Sequence, residues 1–408
     1  MEADERNRVK ITDVRVREVS IPRIYGTHSA DPKRLQPDTD HNRSWYQILE
    51  LFTDEGPVGL GEVSDMAVRM DPLPPDRLRE LLAGQLVGRD LGRWREAFAA
   101  VAGALPEDCH PELRGLTLFG VEIALLDLVG KRLGAPLHEL LGGRVRDRVE
   151  VCWVAYMRNE MTPKAELEAL AEEVRGKLAE GIRAFKMKVG GDPGRDLERV
   201  RRFREVAGPD VYLRGDASGA WTEEEAVERL RELAAAGIHA CETPVDAVSR
   251  PVVNDHPERI NGDPDGAASV LARVRERSSI DIIEHVADLD DAFTASVVRH
   301  RAVDVVNVIP SQGGGVTRGQ RLIHAAGTGG ISALLGSTVE LGPGTAAFVH
   351  LAAACANLTV PSDLVAPGLL VDDVCAKPFE YRDGALEPPE GPGLGVELDE
   401  ERMEKWSV

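Results

Sequence analysis

Two lysines and three carboxylates stand out for what their spacing could do. Lys186 and Lys188 are two apart in FKMKVG, Asp216 sits in LRGDASGAW, Glu242 in ACETPV and Glu284 in DIIEHV. Residues two apart on a strand project from one face. If that face is the interior of a closed sheet, two ammonium groups share a low-dielectric space, which lowers a lysine pKa and makes a usable base. The plainer alternative is a register shifted by one, with one lysine reaching solvent. Three carboxylates at the mouths of consecutive strands repel one another unless a cation binds between them. Oxygen-only ligands select a hard ion, Mg2+ or Mn2+, with water or substrate completing its shell. Each acid alone could simply cap the helix that follows its strand. The ordered set is what carries weight: lysine pair, then Asp, then Glu, then Glu.

These residues end short apolar runs that recur after Gly143. VEVCWVAY precedes a helical pattern over 163–179, IRAFKMKV one over about 193–206, and VYLRGDA one in which Thr222 and Glu225 fit a capping box. IHACETP, IDIIEHV, VDVVNVI and ISALLGS follow. Seven or more β-then-α units in near-continuous apolar strands indicate a parallel sheet buried on both faces, and so many in this length suit a closed barrel. Active sites of such barrels lie at the C-terminal ends of the strands, where the charged residues fall. No GxGxxG opens any of the helices, which argues against a nicotinamide fold.

The first third reads differently. Residues 10–20 alternate as a half-buried strand, and YQILELFTDEGPVGLGEV reads as a hairpin around Asp54–Pro57. Residues 75–133 are helical in pattern, broken at Pro106 and Pro111. Between that strand and the hairpin, about residues 21–45 lack periodicity, as a functional lid or a disordered segment does. The expected organisation is an α+β domain over 1–140, a barrel over 141–373 and a tail over 374–408 that packs back on the first domain.

The 408 residues carry 69 acidic and 49 basic side chains, a net charge of −20. Such a field repels nucleic acid and anionic membranes. No apolar run approaches the roughly 18 residues needed to span a bilayer, and the N-terminus lacks a secretory pattern. The five cysteines show no CxxC spacing. A cytoplasmic protein is expected.

The ordered motifs resemble the enolase superfamily, in its mandelate racemase/muconate lactonizing enzyme branch. The resemblance spans nearly the whole chain: GLGEV (59–63), VEIALLDLVGKRLGAPLHELLGG (121–143), the KxK strand, GDASGAW, ETP and PSQGGGVTRG. GSTVELGPGTAAFVHLAAA and PSDLVAPGLLVDDV look most like the muconate cycloisomerase subgroup. The resemblance implies an α/β fold, a modified (β/α)7β TIM-type barrel under an N-terminal α+β capping domain. It implies Mg2+ (or Mn2+) on Asp216, Glu242 and Glu284, Lys188 as acid/base and Lys186 as its electrostatic companion. The reaction implied is proton transfer at the carbon α to a substrate carboxylate, in a homo-oligomer. In the lid, His28, His41 and Arg43 are candidates to recognise the distal end of the substrate, and Glu340 to hydrogen-bond substrate or a lysine.

The chain also departs from the family pattern. Where the family places a second lysine or an aspartate after the sixth strand, Ile309 stands here. No histidine marks the seventh strand, so a racemase, which needs a base on each face, is disfavoured. Ser218 replaces the usual Asn. Glu242 and Glu284 are 42 residues apart, longer than usual, which suggests an insertion and makes Glu284 the weakest ligand, with Asp281 a competitor. His285 should point away from the site. Cycloisomerisation, dehydration of an acid-sugar or hydroxy acid by syn elimination, and a non-catalytic carboxylate-binding barrel all remain open at this point.

Overall fold

The computed structural model describes residues 8–27, 41–66, 70–247 and 263–408. It begins with three antiparallel strands, β1 (Ile11–Pro22), β2 (Arg43–Thr53) and β3 (Val58–Val63). Helices α1 (Pro75–Leu86), α2 (Trp94–Ala104) and α3 (Pro111–Leu133) follow. The two glycines of GLGEV let α3 lie directly on β3. A Cβ at Gly61 would come within 2.1 Å of the Gly120 carbonyl oxygen, and one at Gly59 within 2.4 Å of that of Ala124. The long apolar pattern of α3 stops where Gly134 turns left-handed (φ 64°), the usual C-terminal device.

Seven parallel strands form the second layer: β4 (Cys152–Ala155), β5 (Ala184–Lys188), β6 (Tyr212–Asp216), β7 (Ala240–Glu242), β8 (Asp281–His285), β9 (Val305–Val308) and β10 (Ser332–Leu335). They are hydrogen-bonded in chain order. The intervening helices are α4 (Pro163–Ala179), α5 (Pro193–Ala207), α6 (Glu223–Ala236), α7 (Pro264–Arg277), α8 (Asp291–His300) and α9 (Val316–Thr328). Their starts are legible locally. The side chains of Thr162, Asp192, Thr222, Asp263 and Asp290 each accept a backbone N–H of the first turn, and Pro163, Pro193 and Pro264 open their helices. Thr222 and Glu225 do form a capping box.

The eighth position of the barrel is a short segment rather than a full strand. Leu358 bridges Ala333 of β10, and Ser362 bridges Val151 just before β4. The Asp363 N–H then donates to the Leu335 carbonyl at 2.8 Å, which brings the ends of the sheet together. The intervening helix α10 (Gly342–Ala354) is buried along its whole length. From the first layer, Glu62 of β3 accepts the N–H groups of Leu341 (2.9 Å) and Gly344 (2.8 Å) at its start. The chain's last helix, α11 (Glu400–Trp406), lies near β1. Arg17 pairs with Glu400 at 2.7 Å, and Ser407 bridges Val19. Among the described residues no helix is long and apolar enough to cross a membrane.

Candidate active site

Registered neighbours in a sheet present their side chains to the same face. Lys186 pairs with Arg214, Lys188 with Asp216, and Asp216 with Glu242. The shared face is the barrel interior. Lys188 Nζ lies 2.6 Å from Asp216 Oδ2, and Lys186 Nζ lies 3.6 Å from that same oxygen, 3.3 Å from Glu242 Oε2 and 2.6 Å from Asp363 Oδ2. Both lysines therefore point inward, and the shifted register is excluded.

The electrostatics of Lys186 differ from the sequence expectation. Burial works against the charge of Lys186, but Asp363, Glu242 and Asp216 surround it and outweigh that penalty, so its pKa is raised. The three carboxylates favour the charged form of Lys186. The carboxylates respond in kind. Burial disfavours the charge of Glu242, yet Lys186, His285 and Arg214 hold it well below the usual carboxylate range. Asp216 is also lowered, Lys188 outweighing burial and the repulsion of Glu242.

Three members of this network are not among the candidate site residues of the sequence. Arg214, fully buried two residues before Asp216, donates to Asp363 Oδ1, which also fastens Lys186 through its other oxygen. Asn307 Nδ2 donates to Glu242 Oε1 at 3.0 Å. The spacing argument used for the lysines finds Arg214 as well. Asp363 arrives on the closing segment, where no periodicity announces it.

The end of β8 reverses an expectation. Glu242 is in register with Ile283, and Asn307 with His285, so Ile283 and His285 face the interior. Ile283 packs there with Ala240, Val305 and Leu334, whereas Ile282 and Val306 belong to the core under the helices. His285, expected to point away, has its Nε2 2.6 Å from Glu242 Oε1. Glu284 is registered with outward-facing Val306. Its Oε1 accepts from Thr243 Oγ1 at 2.7 Å and from the His285 N–H at 2.8 Å. Asp281 begins the strand and is exposed, far from its mouth end. Among the described residues no three or more His, Cys, Asp or Glu side chains are gathered as a metal group. Asp216 and Glu242 do suit a hard divalent cation: they are adjacent, buried and held ionised.

Ile309, 5% exposed, continues the inward face of β9 above Asn307. A Cβ at Gly336, just past β10, would meet both side chains, and Ile309 sets an apolar side chain where the family pattern has a lysine or aspartate. Among the described residues Glu340 reaches no lysine. Its carboxylate accepts from Ser311 (3.0 Å), Ser337 (2.5 Å) and Thr338 (2.7 Å) and is pushed up by burial. It braces a loop in which Val339 is left-handed (φ 68°) and accepts the Tyr46 hydroxyl of the first layer at 2.7 Å. Ser218, also left-handed (φ 51°), donates from its N–H and hydroxyl to Asp216 Oδ1. Asn, the family's usual residue there, tolerates that backbone better.

Of the lid candidates, His28 lies outside the described residues. Arg43 is spent within the first layer, on Ser20 Oγ (3.0 Å) and the Ser20 carbonyl (2.7 Å). The His41 carbonyl accepts from Arg23 at 3.2 Å. Arg23 in turn pairs with Asp65 at 2.6 Å within the first layer. Tyr156, raised to about 12 by burial, feels Lys186 from its own barrel and Arg23 from above. His324 is exposed on α9, and His350 is buried against His138, Nδ1 to Nδ1 at 2.9 Å, so neither faces the mouth.

The chain matches the family described as Enolase C-terminal domain-like over residues 169–255 and 263–402. It matches the Mandelate racemase / muconate lactonizing enzyme N-terminal domain over 22–142. The chain belongs to the enolase superfamily, in that branch. It is 30% identical over 384 residues to Muconate cycloisomerase 1-1 of Acinetobacter lwoffii, covering 92% of each chain. It is 34% identical over 291 residues to a chloromuconate cycloisomerase of Cupriavidus pinatubonensis, 71% of each. The solved muconate lactonizing enzyme of Pseudomonas fluorescens superposes with a TM-score of 0.80 at 25% identity, over 98% of this chain and 99% of the other. Like these superfamily relatives, the chain is an enzyme, and the non-catalytic reading is set aside. The superfamily match pauses at 256–262, inside the stretch read as an insertion; residues 248–262 lie outside those described.

Proposed function

We propose that this enzyme binds a small carboxylate substrate beside a divalent cation, Mg2+ or Mn2+, and moves a proton at the carbon α to that carboxylate, in muconate cycloisomerase-like chemistry. Asp216 and Glu242 would hold the cation together with a group from the end of β8, Glu284 in the family pattern. Bound there, the cation supplies positive charge opposite the substrate carboxylate, which makes a weakly acidic α proton removable. Lys188 Nζ is the group that gives or takes that proton. Its place beside Asp216 suits protonation of the carbon that becomes negative when a carboxylate adds across a conjugated double bond. Lys186, pinned by Asp363 and Arg214, adds a second fixed positive charge at the same face.

The observation that carries this reading is the asymmetry of the mouth: Lys188 Nζ on Asp216 at 2.6 Å on one side, and the Ile309 wall on the other. Proton transfer on one face serves cycloisomerisation, and it equally serves syn elimination of water from a hydroxy acid, the second reading. It does not serve racemisation. The same reading divides the chain at about residues 140 and 373 and has it self-associate.

Solvent deuterium exchange tests it. Incubation in D2O with Mg2+ and a panel of muconate-type and hydroxy carboxylic acids should label the α carbon of at least one, without inversion. Lys188→Ala should abolish the label while circular dichroism stays unchanged. Exchange retained by that variant, or exchange with inversion in the wild type, would refute the proposal.

A further inference from the structure

The third protein ligand of the cation is the open question at this mouth, and the strand register bears on it. Side chains alternate along β8, and pairing with β7 and β9 sends Ile283 and His285 inward and Glu284 toward the helices. Glu284 Oε1 is committed to Thr243 Oγ1 and the His285 N–H. The imidazole of His285 instead enters the interior and brings Nε2 to 2.6 Å from Glu242 Oε1, with 20% of its side chain still open to the mouth.

We infer that His285 Nε2, rather than the Glu284 carboxylate, completes the cation site with Asp216 and Glu242. This rests on the reading above that a divalent cation binds here. Adjacent ligands on one octahedral ion are about 3 Å apart, so the His285–Glu242 pair needs only a small side-chain adjustment. Bringing Glu284 in would require the end of β8 to rotate and break two hydrogen bonds. An imidazole donor has a consequence for selectivity. Imidazole suits Fe2+ and Zn2+ better than Mg2+, which prefers oxygen. A site of two carboxylates and one imidazole should therefore favour the softer ions.

Pulsed electron paramagnetic resonance of the EDTA-stripped protein reloaded with Mn2+ tests this directly. Wild-type protein should show nitrogen hyperfine coupling that changes to the 15N pattern when histidine is 15N-labelled. His285→Asn should lose the coupling and weaken Mn2+ binding at least tenfold, with Mg2+ less affected. Glu284→Gln should keep the coupling and bind Mn2+ within about threefold of wild type. Loaded Mn2+ without nitrogen coupling, or coupling that survives in His285→Asn, overturns the inference and leaves the proposed function standing. Failure of the wild type to bind any divalent cation overturns both. Should His285→Asn not fold, the labelled wild-type spectrum decides alone.

Discussion

Asp363 gives the sharpest test of how the barrel interior is held together. Its two oxygens neutralise two buried cations, Lys186 at 2.6 Å and Arg214, and Asp363 is only 2% exposed. Asp363→Ala leaves Arg214 with no nearer carboxylate than Glu242, 4.0 Å from its Nε, and Lys186 with Glu242 and Asp216 at 3.3 and 3.6 Å. Breaking a buried ion pair from one side costs about 3–5 kcal/mol, because the surviving charge stays desolvated. At roughly 2.1 cal/mol/K per residue, the 408-residue chain unfolds with an entropy of about 0.86 kcal/mol/K, so the melting temperature should fall by about 4–6 °C. Arg214→Met combined with Asp363→Ala removes both members of that pair and should recover about half or more of that loss, a coupling readable in a double-mutant cycle with the two single variants. Calorimetry of the four proteins at pH 7 is the assay. If Asp363→Ala melts within about 1 °C of wild type, Glu242 and Asp216 already neutralise the interior and the argument fails.

Other outcomes follow from single contacts. Glu62 is fully buried, and burial raises its carboxyl to about 8 although Ser64, Gly344 and Leu341 donate to it. Folding then takes up a proton between the ordinary value of 4.5 and about 8, so this group's contribution to stability is complete below that window and declines as pH rises through it. Glu62→Gln should flatten the fall in melting temperature between pH 5 and 8 (an unchanged slope would show that Glu62 stays ionised). Gly61→Ala would drive a Cβ into the Gly120 carbonyl and should destabilise by about 3 kcal/mol, read by urea unfolding; a neutral result would mean that α3 can lift off β3 without penalty. Glu242→Gln should weaken divalent-cation binding in a calorimetric titration, since it removes a charge that the interior holds ionised. An unchanged titration would move the cation elsewhere.

Much of this protein was legible without coordinates. Thr or Asp before Pro marks the start of α4, α5 and α7, because those side chains and that fixed φ act within one helical turn. The alternation of apolar strands with amphipathic helices determines a parallel barrel, since only burial on both faces accounts for such strands. The two-residue spacing of Lys186 and Lys188 determines that they share a face. What the tertiary structure alone decided is which face, and what waits there. Asp363 comes from a segment without periodicity and reverses the expected effect of burial on Lys186, because three carboxylates outweigh desolvation. Glu284 and His285 are neighbours of similar polarity at a strand end, and a one-residue change of register exchanges their faces. Local sequence is nearly indifferent to that choice; hydrogen bonding to β7 and β9 makes it.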